Sequence, residues 1–149
     1  MKIIRKNRKK SDCGVIAAFN AASWCNLGHS YRDVEKAAKS CGYHPEKGIY
    51  HFQFSNLISK LNIPAKKMRP RSLGELESKM YLGKFFIFLY TPTGEFNGHA
   101  IVAFTDHEGN IRLINPDSER ETWDEFAAEI YAKGMKNMSV WELPCRELV

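Results

Sequence analysis

Asn7-Arg8-Lys9-Lys10-Ser11-Asp12-Cys13-Gly14-Val15-Ile16-Ala17-Ala18-Phe19-Asn20-Ala21-Ala22-Ser23-Trp24 is the stretch whose reading decides the fold. A basic, polar segment gives way at Cys13 to a run of small apolar residues broken only by Asn20 and Ser23. A surface helix keeps one polar face, so a run that is apolar almost all round predicts a helix buried on most sides. Ser11 or Asp12 can cap its first turn. Cys13 is then left among the first backbone N–H groups, at the positive end of the helix dipole. A thiol held there is biased toward the thiolate, the form that attacks carbonyl carbon. A cysteine beside an Ala-rich core helix can equally be a small buried hydrophobe, so the partners of Cys13 decide its role.

The whole chain sets the frame. Its 149 residues, 44% hydrophobic and 26% charged, predict one domain over 1–149 with a core that needs no staples. Disorder is excluded, and no run approaches the roughly 18 apolar residues of a membrane span. Cys13, Cys25, Cys41 and Cys145 form no dense framework. The charged start has no apolar stretch of signal-peptide length, so a reducing, cytoplasmic setting is expected. Lysine and arginine number 22 against 17 acidic residues, a net charge of +5. The excess gathers at Lys2, Arg5, Lys6, Arg8, Lys9 and Lys10, and again at Lys66, Lys67, Arg69 and Arg71. Such clusters are solvated surface or hold an acidic partner. No nucleic-acid motif accompanies them, so an acidic partner on the basic N-terminal segment is the expectation kept.

Helical signals fill the first half. Met1 to Lys6 is expected as a short edge strand, and the central helix should close near Leu27-Gly28. Ser30 caps a second helix with Asp33 at the capping-box position, carrying Val34, Ala37, Ala38 and Cys41 to Gly42. A third helix is expected from about Ile49 or Phe52 to Leu61, and a short fourth from Ser72 to about Tyr81. The period then changes. Lys84 to Tyr90 is a continuous apolar run of strand length, and His99 to Phe104 is a second strand after a Pro- and Gly-containing loop. A turn at Asp106 to Asn110 leads into the antiparallel return Ile111 to Ile114. Thr122 caps a last helix to about Ala132, and Met138 to Leu143 closes the sheet. Helices followed by a meander of strands predict an α+β domain.

A cysteine nucleophile needs a base near its sulfur, and the base needs an acceptor that fixes its tautomer. His99 begins one strand and Asn115 follows the next, so the hairpin between them returns the two ends to each other. Singly, His99 is an ordinary strand-end histidine and Asn115 an Asn-Pro turn former; together they suggest a triad with Cys13.

These residues resemble the papain-like cysteine peptidases, most nearly the compact branch that trims double-glycine leader peptides and its bacterial and phage relatives. Ser11-Asp12-Cys13-Gly14 is similar to that branch's Asp-Cys-Gly motif, and Gly98-His99-Ala100-Ile101-Val102 resembles its Gly-His before a hydrophobic strand. Ile114-Asn115-Pro116 stands where the branch usually has Asp-Pro. The likeness spans about Ile3 to Pro116. It implies a papain-like fold, with a buried helix led by the nucleophile packed on a C-terminal antiparallel sheet. It also implies a Cys13, His99 and Asn115 triad acting through an acyl-thioester on peptide or isopeptide bonds of a protein or peptide substrate, with no metal or cofactor. Asn7 stands where the family has the Gln of its oxyanion hole, one methylene shorter. Asp117 is an alternative third member.

Two other functions use the same features. A thiol acyltransferase or other amide-processing enzyme could share the Cys-His pair, and a non-catalytic module could keep the fold and bind through its basic segments. Cys25, His29, Cys41 and His44 form a Cys2His2 set by ligand type, but their spacing matches no standard zinc finger.

Overall fold

The computed structural model describes residues 11–81, 83–90, 99–114, 122–133 and 138–144. Within them lie helices α1 (Cys13–Trp24), α2 (Tyr31–Ser40), α3 (His51–Lys60), α4 (Leu73–Ser78) and α5 (Trp123–Lys133). The strands are β1 (Lys66–Met68), β2 (Phe85–Tyr90), β3 (His99–Thr105), β4 (Ile111–Ile114) and β5 (Ser139–Leu143). The strands form one antiparallel sheet in the order β1-β5-β2-β3-β4. The α+β expectation holds, with two corrections. β1 was read only as a charge cluster, because its exposed Lys66 and Lys67 hide the strand signal. The sheet is also no simple meander, since β5 returns after α5 to lie between β1 and β2.

Both faces of the sheet are covered. Phe85, Ile87 and Leu89 of β2, with Ala100 and Val102 of β3, pack against the alanines of α1 and against Val34, Phe54 and Leu57 of α2 and α3. Phe86, Phe88, Ile101 and Ala103 face the other way, into a second core with Leu76, Trp123 and Phe126. Burial on two sides is why β2 reads as an unbroken apolar run instead of alternating. α1 is the buried helix that its composition predicts, with every residue from Gly14 to Ala22 inaccessible or nearly so. It ends at Trp24, short of Leu27-Gly28, in a turn where Asn26 and Gly28 take φ of 58° and 75°. α4 likewise stops at Ser78, before Tyr81. The Met1–Lys6 strand and the loop of 91–98 lie outside the described residues.

The direction of α1 over the sheet matters most for function. Trp24, its last residue, lies against Phe85 and Phe104, with ring centroids 5.1 and 5.9 Å away. Phe104 sits near the end of β3, so the end of α1 lies over the end of β3. From Trp24 back to Cys13 is about 16 Å at 1.5 Å per helical residue. From Phe104 back to His99 is also about 16 Å at 3.3 Å per strand residue. The starts of α1 and β3 are thus about equally far from this contact.

Candidate active site

Cys13 opens α1 after Asp12, the N-cap residue. Asp12 does not cap with its side chain, contrary to the sequence expectation. Its fully buried carboxylate instead accepts a 2.6 Å hydrogen bond from the Tyr31 hydroxyl at the start of α2. Ser11 does not cap either; its hydroxyl donates to the Glu46 carbonyl at 3.3 Å. The Tyr31 phenol is pushed far above its ordinary range, first by burial and then by the bond to Asp12 and that carboxylate's charge. Tyr31 therefore stays a donor at any physiological pH.

A loop unnoticed in the sequence walls the first turn of α1. His44 and Gly48 bridge to each other, and Ile49 follows them into the core. A Cβ on Gly14 would meet the Ile49 Cγ2 at 2.5 Å, so Ile49 occupies space that only a glycine after the cysteine leaves open. Tyr43, also buried, has its phenol pushed up to about 12 by burial and by the negative charges of Asp12, Glu35 and Cys13. Gly14 was the available signal for this close approach; nothing in the pattern pointed to Tyr43.

His99 is the first residue of β3 and is buried. It pairs with Tyr90, the last residue of β2, and the two rings meet edge to face at 5.6 Å. Strand alternation groups His99 with Ile101 and Ala103, whereas Ala100 and Val102 face α1. The imidazole thus stands on the last rung of the β2–β3 ladder, beside Tyr90. Ile114, immediately before Asn115, pairs with Val102 of β3. Asn7, Asn115 and Asp117 lie outside the described residues.

The alternative zinc ligands do not gather. His29 Nε2 lies 3.1 Å from the Leu61 carbonyl, and His44 Nδ1 accepts from the Glu46 amide at 3.1 Å. Among the described residues there is no cluster of three or more His, Cys, Asp or Glu placed to hold a metal ion. Cys13, Cys25 and Cys41 are of intermediate exposure. No helix among the described residues is long and apolar enough to cross a membrane. His51 is half-buried with Nδ1 3.0 Å from the Ser139 hydroxyl, its pKa lowered by burial and by nearby Lys67.

No family model matches the chain, and no curated protein matches its sequence. In structure it is similar to the peptidase domain of Streptococcus ComA, a bi-functional ABC transporter involved in a quorum-sensing pathway. The fold is shared with that peptidase domain. The TM-score is 0.61 at 14% sequence identity, over 93% of this chain and 96% of the ComA chain. The ComA domain therefore matches nearly end to end in architecture while most side chains differ. The expected α+β fold, helices packed on an antiparallel sheet, is the fold that the two share.

Proposed function

We propose that this chain is a cysteine peptidase, a single domain over 1–149, that cleaves peptide or isopeptide bonds with Cys13 as nucleophile and His99 as base. The observation that supports the reading is the packing of the end of α1, at Trp24, on Phe104 near the end of β3, with a cysteine starting the one element and a histidine starting the other. The ComA peptidase fold adds to it.

In this mechanism His99 accepts the Cys13 proton as the sulfur attacks the carbonyl carbon, forming a C–S bond and a tetrahedral oxyanion. The Cys13 backbone N–H and the Asn7 carboxamide are the donors to that oxyanion. Among the described residues the Asp12 side chain leaves the first turn of α1 uncapped, which suits a helix start whose N–H groups serve a developing charge. Collapse breaks the C–N bond, His99 protonates the leaving amine, and water hydrolyses the thioester. Asn115 orients the imidazole, with Asp117 as the alternative. The substrate is a protein or peptide, and a reducing cytoplasm suits the thiols.

The test is cleavage of a proteome-derived peptide pool, with new termini read by mass spectrometry. New termini that vanish with Cys13→Ala and His99→Ala support the reading. A wild-type protein that generates none, or generates as many after either substitution, overturns it. Comparing Asn115→Ala with Asp117→Ala then names the third member by the larger loss.

A further inference from the structure

At the end of the sheet where β3 begins, a cavity of about 340 Å³ opens between β1 and the start of β5. Lys67, Met68, Arg69, Met138, Ser139 and Val140 line it. Two of these are cationic, and no carboxylate is among its described lining residues. Lys67 is held over the Trp141 ring, its ammonium 5.6 Å from the centroid, and the Ser139 hydroxyl is fixed by His51. The registers place the cavity relative to the candidate site. Met68 pairs with Val140, Val140 with Phe88, and Phe88 with Ile101, so Arg69 follows β1 toward the level of His99.

We infer that this cavity is a substrate subsite for an acidic side chain of the bound peptide. The inference rests on the peptidase reading and names the substrate feature selected. β1 lies three strands from β3, about 14 Å at the usual spacing, and an extended peptide advances about 3.3 Å per residue. The acidic residue therefore falls about four positions from the scissile bond. Arg69 offers the fork that pairs with a carboxylate, and Lys67 adds a point charge. Met68 and Met138 give the apolar sides that most peptide pockets have. The basic cluster at β1, legible in the sequence only as charge, acquires a ligand class from this wall.

The experiment separates this claim from catalysis. The Cys13→Ala protein, which need not cleave, is titrated with a capped tetraglutamate peptide, a capped tetra-alanine peptide and a (dT)12 oligonucleotide, while amide shifts are followed by NMR. The expected result is saturable shifts at Ser139 and Val140 with tetraglutamate, absent with tetra-alanine, and at least tenfold weaker in Lys67→Glu/Arg69→Glu. Both side chains are exposed, so an unchanged melting temperature should confirm that the double variant folds. Absence of shifts at the cavity, equal binding by the double variant, or tighter binding of the oligonucleotide overturns the subsite. In the wild-type cleavage profile, Asp or Glu enriched about four residues from the cut, and lost in the double variant, supports it. Cleavage without that enrichment contradicts the subsite while leaving the peptidase reading intact, whereas binding without any cleavage contradicts only the latter.

Discussion

The starts of α1 and α2 lie side by side and are built in opposite ways. At α2, the Ser30 hydroxyl accepts from the Asp33 amide at 3.1 Å and the Asp33 carboxylate accepts from the Ser30 amide at 3.3 Å, a reciprocal box that closes the helix end. At α1, the carboxylate in the N-cap position turns away from the helix and binds Tyr31 of α2. One helix start is finished by its own side chains; the other is held by its neighbour and keeps its first turn uncapped. The difference teaches that capping residues must be read with their tertiary partners, because an Asp before a cysteine can anchor a helix start without closing it.

The sharpest way to break this contrast is at the chemistry. Cys13→Ala should abolish peptide cleavage, and His99→Ala should lower it by about 10²–10⁴, the usual contribution of a positioned base. Measured turnover of a peptide identified in the pool would check both. If α1 were only structural, neither substitution would matter.

Next is the anchor itself. Tyr31→Phe leaves the buried Asp12 carboxylate without its phenol donor and should cost about 1.5–3 kcal/mol, the range for hydrogen bonds to charged groups. Denaturant unfolding reads the loss. It should be joined by slower Cys13 alkylation, because the start of α1 is no longer tied to α2.

Gly14→Ala presses a methyl into Ile49. Overpacking of this kind costs about 1–3 kcal/mol, and Gly14→Ala combined with Ile49→Ala, which removes the clashing Cγ2, should recover part of it. The double-mutant cycle measures that recovery.

The smallest effect belongs to the finished end. Ser30→Ala should cost about 1 kcal/mol and leave Cys13 alkylation unchanged. Its pH dependence has a definite sign. The Asp33 pKa is lowered, chiefly by hydrogen bonds from the Ser30 hydroxyl and amide, so its contribution to stability is present above the ordinary carboxylate pKa and is lost as pH falls through the lowered value. Unfolding followed from neutral pH into acid should show this loss in the wild type and a weaker one in Ser30→Ala.

Much of the fold was legible because the strong signals were local. The Ser30 and Ser72 caps, the Phe85 to Leu89 run and the Asp106 to Asn110 turn each determine their conformation within a few residues. β1 was not legible, because an edge strand of exposed lysines gains its structure from β5, far along the chain. The side-chain cap at α1 was misjudged for a similar reason: Asp12 has a better partner in Tyr31 than in its own helix. The order Cys13, then His99, was visible as a motif. That the end of α1 packs on the end of β3, Trp24 against Phe104, was not legible, because it joins residues 80 positions apart.

The most direct measurement is the rate at which iodoacetamide alkylates each cysteine of the native protein, resolved by peptide mass spectrometry. Cys13, Cys25 and Cys41 are all of intermediate exposure, so accessibility alone predicts similar rates. A nucleophile served by a base predicts that Cys13 reacts at least tenfold faster than the other two and that His99→Ala removes the difference. Equal rates at the three cysteines, or a fast Cys13 indifferent to the loss of His99, would contradict the account.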